Sequence, residues 1–236
     1  FIIDGYMRSG TTMLTTMLNS HSQLKCYAEE SVEVLPSIND YEGINVKYPH
    51  LRYGEIKKYL DNYKIIHLVR TNIFNTAISN YINTNKEKTK TPTAHIFSTK
   101  NLEDDNIYYL TKEEKHNKQF PLANRDSHKN IDRDKIWVHT QYVKSQIENI
   151  HTQITNQTEV LGNHENLLTL TYEELTQGDK DVKNLSSEIS DKICKFLNVN
   201  VENMYSTTMK VNNSSYEKYI SNWDDLKSLK EMLVYE

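Results

Sequence analysis

The sequence predicts a three-layer α/β fold, with a central parallel sheet flanked by helices. Three observations point to it. Short, nearly continuous apolar runs, Phe1-Ile2-Ile3-Asp4-Gly5 and Lys64-Ile65-Ile66-His67-Leu68-Val69, read as strands buried on both faces. Each is followed by a stretch whose apolar residues recur at helical spacing. The segments between strands are long enough for the crossover helices that parallel neighbours need. A chain of 236 residues suits one such domain, so residues 1–236 are expected to form a single unit.

The elements follow in order. Met13, Leu14, Met17 and Leu18 give the helix from Thr11 to Ser20 its apolar side. Ser22 to Ala28 returns toward the sheet. Ser31 to Ile38 is weakly helical and stops near Pro36. Ile44 to Val46 reads as a strand, and Arg52 to Tyr63 as a helix with Ile56, Tyr59 and Leu60 on one face. Beyond the strongest strand, Lys64 to Val69, Ile73 to Tyr81 reads as a helix with Ile73, Phe74, Ala77, Ile78 and Tyr81 turned inward. From about 83 to 133 the periodicity fades into a polar stretch, expected to be a loop or lid inserted in the domain. Order returns at Ile136, and a long helix runs from His139 to about Thr155. Leu167 to Thr171 is a strand that runs into Tyr172-Glu173-Glu174-Leu175. Ser186 to Leu197 is a helix, and the tail from Tyr216 to Val234 is mostly helical. His21 is expected to pack at the end of the first helix, and His67 to be a satisfied core histidine.

Composition narrows the partners. The net charge is −4, which gives no electrostatic reason to bind duplex nucleic acid or an anionic membrane. No apolar run approaches the length of a membrane span. Cys26 and Cys194 stand far apart, outside any metal-binding spacing, so the reading is a reduced, cytoplasmic compartment without a disulfide scaffold or a metal. The chain starts at Phe1, already in a strand, and the natural N-terminus is expected to have been trimmed.

The chemistry gathers at the first strand–helix junction. Gly5-Tyr6-Met7-Arg8-Ser9-Gly10-Thr11-Thr12 has the frame G-x-x-x-x-G, but Thr11-Thr12 stands where a nucleotide-triphosphate P-loop carries Lys and then Ser or Thr. The physics of the loop survives that change. Gly10 permits a tight turn, the helix that follows offers free N–H groups and a favourable dipole to an anion, and Arg8 supplies a cation. Ser9, Thr11 and Thr12 add hydroxyl donors. The loop therefore reads as P-loop-like, built for a phosphate bearing a leaving group.

These residues resemble the PAPS-dependent sulfotransferases, which transfer a sulfuryl group from 3′-phosphoadenosine 5′-phosphosulfate (PAPS). Arg8-Ser9-Gly10-Thr11-Thr12 is similar to the family's 5′-phosphosulfate loop. Met13-Leu14, Met17-Leu18 and His21 are similar to the continuation in its carbohydrate and tyrosylprotein branches, with Ser22 in place of Pro. The resemblance implies further roles. Arg70, at the end of the strongest strand, and Ser79, on the next helix, would hold the 3′-phosphate; their spacing is one residue longer than the commonest one. Glu29 or Glu30 would be the catalytic base, in a string one residue longer than the family's. Lys47, in Lys47-Tyr48-Pro49, would stabilise charge in the transition state together with Arg8, and Lys210 would close on the cofactor. The implied product is 3′,5′-adenosine bisphosphate, and the implied acceptor is a hydroxyl or amine of a carbohydrate, peptide or small metabolite. Leu168 to Leu175 and Ile193 to Val199 resemble the family's scaffold.

Two other readings compete. A divergent P-loop kinase or hydrolase would need a loop Lys and an acid after an apolar strand, whereas Ile65 to Val69 ends in Arg70. A non-catalytic adenosine-bisphosphate-binding relative would keep the fold without the reaction.

Overall fold

The computed structural model describes residues 1–28, 32–46, 55–85, 96–97, 136–177, 184–206, 208–209, 216–218 and 220–231. Seven strands are described: β1 Ile2–Gly5, β2 Lys25–Ala28, β3 Glu42–Asn45, β4 Ile65–Val69, β5 Ile96–Phe97, β6 Leu167–Thr171 and β7 Thr208–Met209. The helices are α1 Thr11–Asn19, α2 Ile73–Thr84, α3 Thr140–Leu161, α4 Tyr172–Thr176, α5 Ser187–Leu197 and α6 Trp223–Glu231. Three single 3₁₀ segments, Val32–Ser37, Ile56–Tyr59 and Tyr216–Lys218, complete the described elements.

Five strands form a wholly parallel sheet in the order β2-β3-β1-β4-β6. Helices cover both faces, as a parallel sheet requires. Strand alternation divides the core. Ile3, Ile66, Leu68, Leu168 and Leu170 point to one side and pack with Leu14, Met17 and Leu18 of α1 and with Ile189, Ile193 and Leu197 of α5. Ile2, Ile44 and Ile65 point to the other side, where Leu161 of α3 joins them. On that second face α2, α3 and α6 also pack together through Phe74, Ile78, Val143, Ile147, Ile150 and Leu226. The expected three-layer α/β architecture is therefore the observed one.

The chain leaves β1 toward β2 on one side of the sheet and leaves β4 toward β6 on the other. The adjacent carboxyl ends of β1 and β4 thus form a topological switch point, the place where open α/β sheets hold ligands.

Several boundaries differ from the sequence reading. Within Arg52 to Tyr63, the described part is a 3₁₀ turn, Ile56–Tyr59, and not an extended helix. Its anchors, Ile56 and Leu60, are buried as expected, and Tyr59 and Tyr63 pack partly against the same cluster, while Lys57, Lys58, Asp61 and Asn62 are exposed. α3 continues to Leu161, past Thr155, because its inward face beyond Ile154 is carried by Gln157 and Leu161. β5 and β7 form a small antiparallel pair, Ile96 opposite Met209 and Phe97 opposite Thr208. This places one described strand inside the stretch read as loop or lid, whose first residues, Asn83 and Thr84, belong to α2; residues 86–95 and 98–133 of that stretch lie outside the described residues. No described helix is long and apolar enough to cross a membrane.

Candidate functional site

The loop from Gly5 to Gly10 is shaped by its glycines. A Cβ on Gly5 would meet the Leu68 carbonyl oxygen and Ser9 Oγ at 2.7 Å, so the loop hugs the end of β4 only because position 5 has no side chain. Gly10 has φ +99°, in the left-handed region, and a Cβ there would meet the Tyr172 ring at 2.5 Å. Arg8 also sits in the left-handed region, with φ 71°. A non-glycine residue there stores about 1–2 kcal/mol of strain, which the surrounding contacts must hold in place. A turn closed by the Ser9 amide donating to the Tyr6 carbonyl, 3.0 Å, leads into α1. No side chain caps α1, and no acidic residue stands in its first turn. That end of the helix keeps its positive character toward the loop.

Three residues expected to act together meet here. Arg8 Nε donates to Ser79 Oγ at 3.1 Å. Arg70 Nη1 donates to the backbone oxygen of Arg8 at 3.1 Å. Ser79 is buried, on the first turns of α2, and Arg70 follows the last residue of β4. Neither arginine is paired with a carboxylate among the described residues. Burial above all lowers the Arg8 pKa; Tyr216 opposes that and the neighbouring Arg70 adds to it. Two guanidiniums in one corner, short of negative charge, make a seat that an anion relieves.

Ser9 is 1 % exposed and its Oγ has no hydrogen-bond partner among the described residues. A buried hydroxyl beside an uncapped helix start is a donor in want of an acceptor. Thr11 and Thr12 are buried in the first turn of α1. Among the described residues, no group of three His, Cys, Asp or Glu side chains is placed to hold a metal ion.

Tyr172 and Glu173, read from the sequence as scaffold, belong to this corner. The Tyr172 ring lies 4.6 Å beneath the Arg70 guanidinium, in cation–π geometry, and also walls Gly10. Burial raises the Tyr172 pKa, against the pull of Arg70. The Glu173 carboxylate accepts from the amides of Thr71 and Asn72, at 3.0 and 3.1 Å, and so clamps the loop that carries Arg70. Asn72 in turn caps α2 by accepting from the Asn75 amide. A Tyr-Glu pair just after a predicted strand that ends at the sheet's carboxyl edge was the available signal.

His21 is packed at the end of α1 as expected, its Nε2 2.8 Å from the Asn200 carbonyl oxygen. His67 is a correction. Its Nδ1 lies 2.8 Å from Asp4 Oδ2, but its Nε2 has no partner among the described residues, where the ring is only half satisfied. Of the other residues expected in the site, Glu29, Glu30, Lys47 and Lys210 lie outside the described residues.

The fold and this corner define a three-layer α/β protein with a P-loop-like turn at its switch point. No protein-family model matches the chain, and no curated protein matches it. Among solved structures it is similar to that described as the crystal structure of mouse sulfotransferase SULT7A1 complexed with PAP. The identity is 16 % and the TM-score 0.42, over 99 % of this chain and 63 % of that one. The chain thus spans less than two thirds of that protein's length.

Proposed function

We propose that the chain is a sulfotransferase that takes PAPS as donor and a hydroxyl or amine as acceptor. The observation that carries this reading is the convergence of Arg8, Arg70 and Ser79, without a carboxylate partner among the described residues, at the carboxyl ends of β1 and β4. It combines with the resemblance of the Arg8–Thr12 string to a phosphosulfate loop, and with the missing loop lysine that a triphosphate would need.

The residues fit such a donor. The orphaned Ser9 Oγ and the uncapped start of α1 offer neutral donors to a 5′-phosphate. Ser79 spends a lone pair on Arg8 and keeps its own O–H to donate to a 3′-phosphate, beside the free edge of Arg70. When bound, PAPS supplies an activated sulfuryl group on a phosphate leaving group. Arg8 then stabilises the charge that grows on the departing oxygens. Lys47 adds to that charge, and Glu29 or Glu30 takes the acceptor's proton. Glu29 follows Ala28 at the end of β2, and Lys47 follows Val46 just beyond β3; both strands end at the same sheet edge as β1 and β4. Lys210 closes on the nucleotide. The acceptor is a carbohydrate, a peptide or a small metabolite.

Calorimetric titration with 3′,5′-adenosine bisphosphate and, separately, with ATP·Mg²⁺ tests the reading. Tighter binding of the bisphosphate is expected. Preference for ATP would overturn it in favour of a nucleotide kinase or hydrolase. Binding without turnover of labelled PAPS on pooled glycans, peptides and metabolites would mark a non-catalytic relative.

A further inference from the structure

A small cavity lies between β4 and α3, behind the loop that follows β1. Its walls include Ser9, His67, Arg70 and Gln157. Each of these four carries a buried side-chain atom without a hydrogen-bond partner among the described residues: Ser9 Oγ, His67 Nε2, Arg70 Nε and Gln157 Oε1. Buried polar atoms are almost always paired. Four unpaired ones around a single cavity mark a binding site. We propose that one water molecule binds there, and that through it His67 becomes a positioning residue for Arg70 and Ser9.

The chemistry of the walls selects the occupant. Asp4 and His67 are neighbours across β1 and β4, in register, and both are almost wholly buried. An Asp4 carboxylate only accepts, so the ring proton sits on His67 Nδ1. Nε2 therefore presents a lone pair. Gln157 Oε1 is a second acceptor, while Arg70 Nε–H and Ser9 O–H are donors. Two acceptors and two donors are the complement of one water, which gives two protons and receives two. A cation would face two donors, one of them on a guanidinium, and an anion would face two lone pairs. Of the remaining walls, Leu68, Val69, Ile150 and Ile154 are apolar, Tyr6 also lines the space, and the Thr76 hydroxyl donates to the Asn72 carbonyl; the space suits a single water.

The consequence concerns Arg70. Its ring-stacked face rests on Tyr172, its Nη1 is tied to the Arg8 carbonyl, and its Nε would be tied through the water to the Asp4–His67 pair. A guanidinium fixed at three points can present only its outer edge to a ligand. This positioning role rests on the donor-binding reading above; the water itself does not.

A high-resolution crystal structure of the wild-type chain decides the first part. One water within hydrogen-bond distance of His67 Nε2 and Arg70 Nε is expected, and a dry cavity or a bound ion would overturn the proposal. Long-range proton–nitrogen NMR is expected to show the His67 ring proton on Nδ1, facing Asp4; a ring proton on Nε2 would also overturn the proposal. Gln157→Leu leaves the Asp4–His67 pair intact and removes one acceptor. It is expected to expel the water and to weaken binding of 3′,5′-adenosine bisphosphate by about three- to tenfold. The double variant Asp4→Leu/His67→Phe removes both buried partners, so that no lone charge is left behind, and should weaken binding at least as much. Unchanged affinity in both folded variants would end the positioning role. Failure of the wild type to bind the bisphosphate would end the donor reading and that role together, while the crystal still decides the water.

Discussion

Arg8 Nε donates to Ser79 Oγ across 3.1 Å, although the two residues stand 71 apart in the chain. The bond ties the loop after β1 to the helix after β4. Both ends of the seat are thereby fixed before any ligand arrives, and that is the economical arrangement for binding, because ordering costs are met during folding.

Arg70 should be the most sensitive residue for binding. Arg70→Ala removes a charged donor fork and is expected to weaken 3′,5′-adenosine bisphosphate binding by about 10- to 100-fold, corresponding to about 1.5–3 kcal/mol. Arg70→Lys keeps the charge but loses the bond to the Arg8 carbonyl and the stacking on Tyr172. It should recover only part of that loss by titration calorimetry.

The acids should behave differently. Glu29→Gln and Glu30→Gln are expected to leave bisphosphate affinity within about twofold, while one of them lowers turnover of labelled PAPS by about 10²–10⁴-fold. If both variants bind poorly and turn over normally, the assignment of a base to this pair is wrong.

Gly10→Ala introduces two separate costs. A left-handed alanine costs about 1–2 kcal/mol, and its methyl would overlap the Tyr172 ring at 2.5 Å, which adds about 1–3 kcal/mol. Urea unfolding of Gly10→Ala, Tyr172→Leu and the double variant separates them. The smaller side chain at 172 should relieve the overlap and leave the backbone cost standing.

Cys26 gives a pH prediction. Burial pushes its thiol up to about 12 from the ordinary value of 9.0. Below the ordinary value both folded and unfolded thiols are protonated, so stability does not depend on this group. Between the two values the unfolded chain has lost a proton that the folded chain keeps. Stability then falls as pH rises, by at most about 1.4 kcal/mol per pH unit from this group. Cys26→Ala should flatten that part of the slope. Comparing denaturant midpoints of wild type and variant at pH 8 and pH 10.5 checks it; parallel curves would refute it.

Much of the fold could be read in the residues themselves. β1 and β4 are apolar runs with no competing pattern, and Gly10 followed by α1 announces a strand–turn–helix. The arginines at positions 8 and 70 could be marked because each stands at the end of such a strand. What stayed hidden depends on contacts between distant segments. Tyr172 read as scaffold just beyond a strand, since nothing local shows that its ring lies under Arg70 and against Gly10. Asp4 and His67 become partners only through the β1–β4 register. The end of α3 was misplaced because Gln157, a core-facing residue of that helix, is polar and breaks the apolar period. That glutamine faces the same cavity as His67, so the local rule failed beside the proposed site.

The order in which these parts are synthesised has a consequence of its own. A ribosome delivers residues 10 and 70 long before residue 172, whose aromatic ring walls the first and lies under the second. A nascent chain can therefore pair its early strands while the seat still lacks its base, and the nucleotide capture proposed for it would wait until β6 has docked beside β4. Stalled or proteolysed fragments ending ahead of that strand would keep the signature string intact and yet be unable to use it.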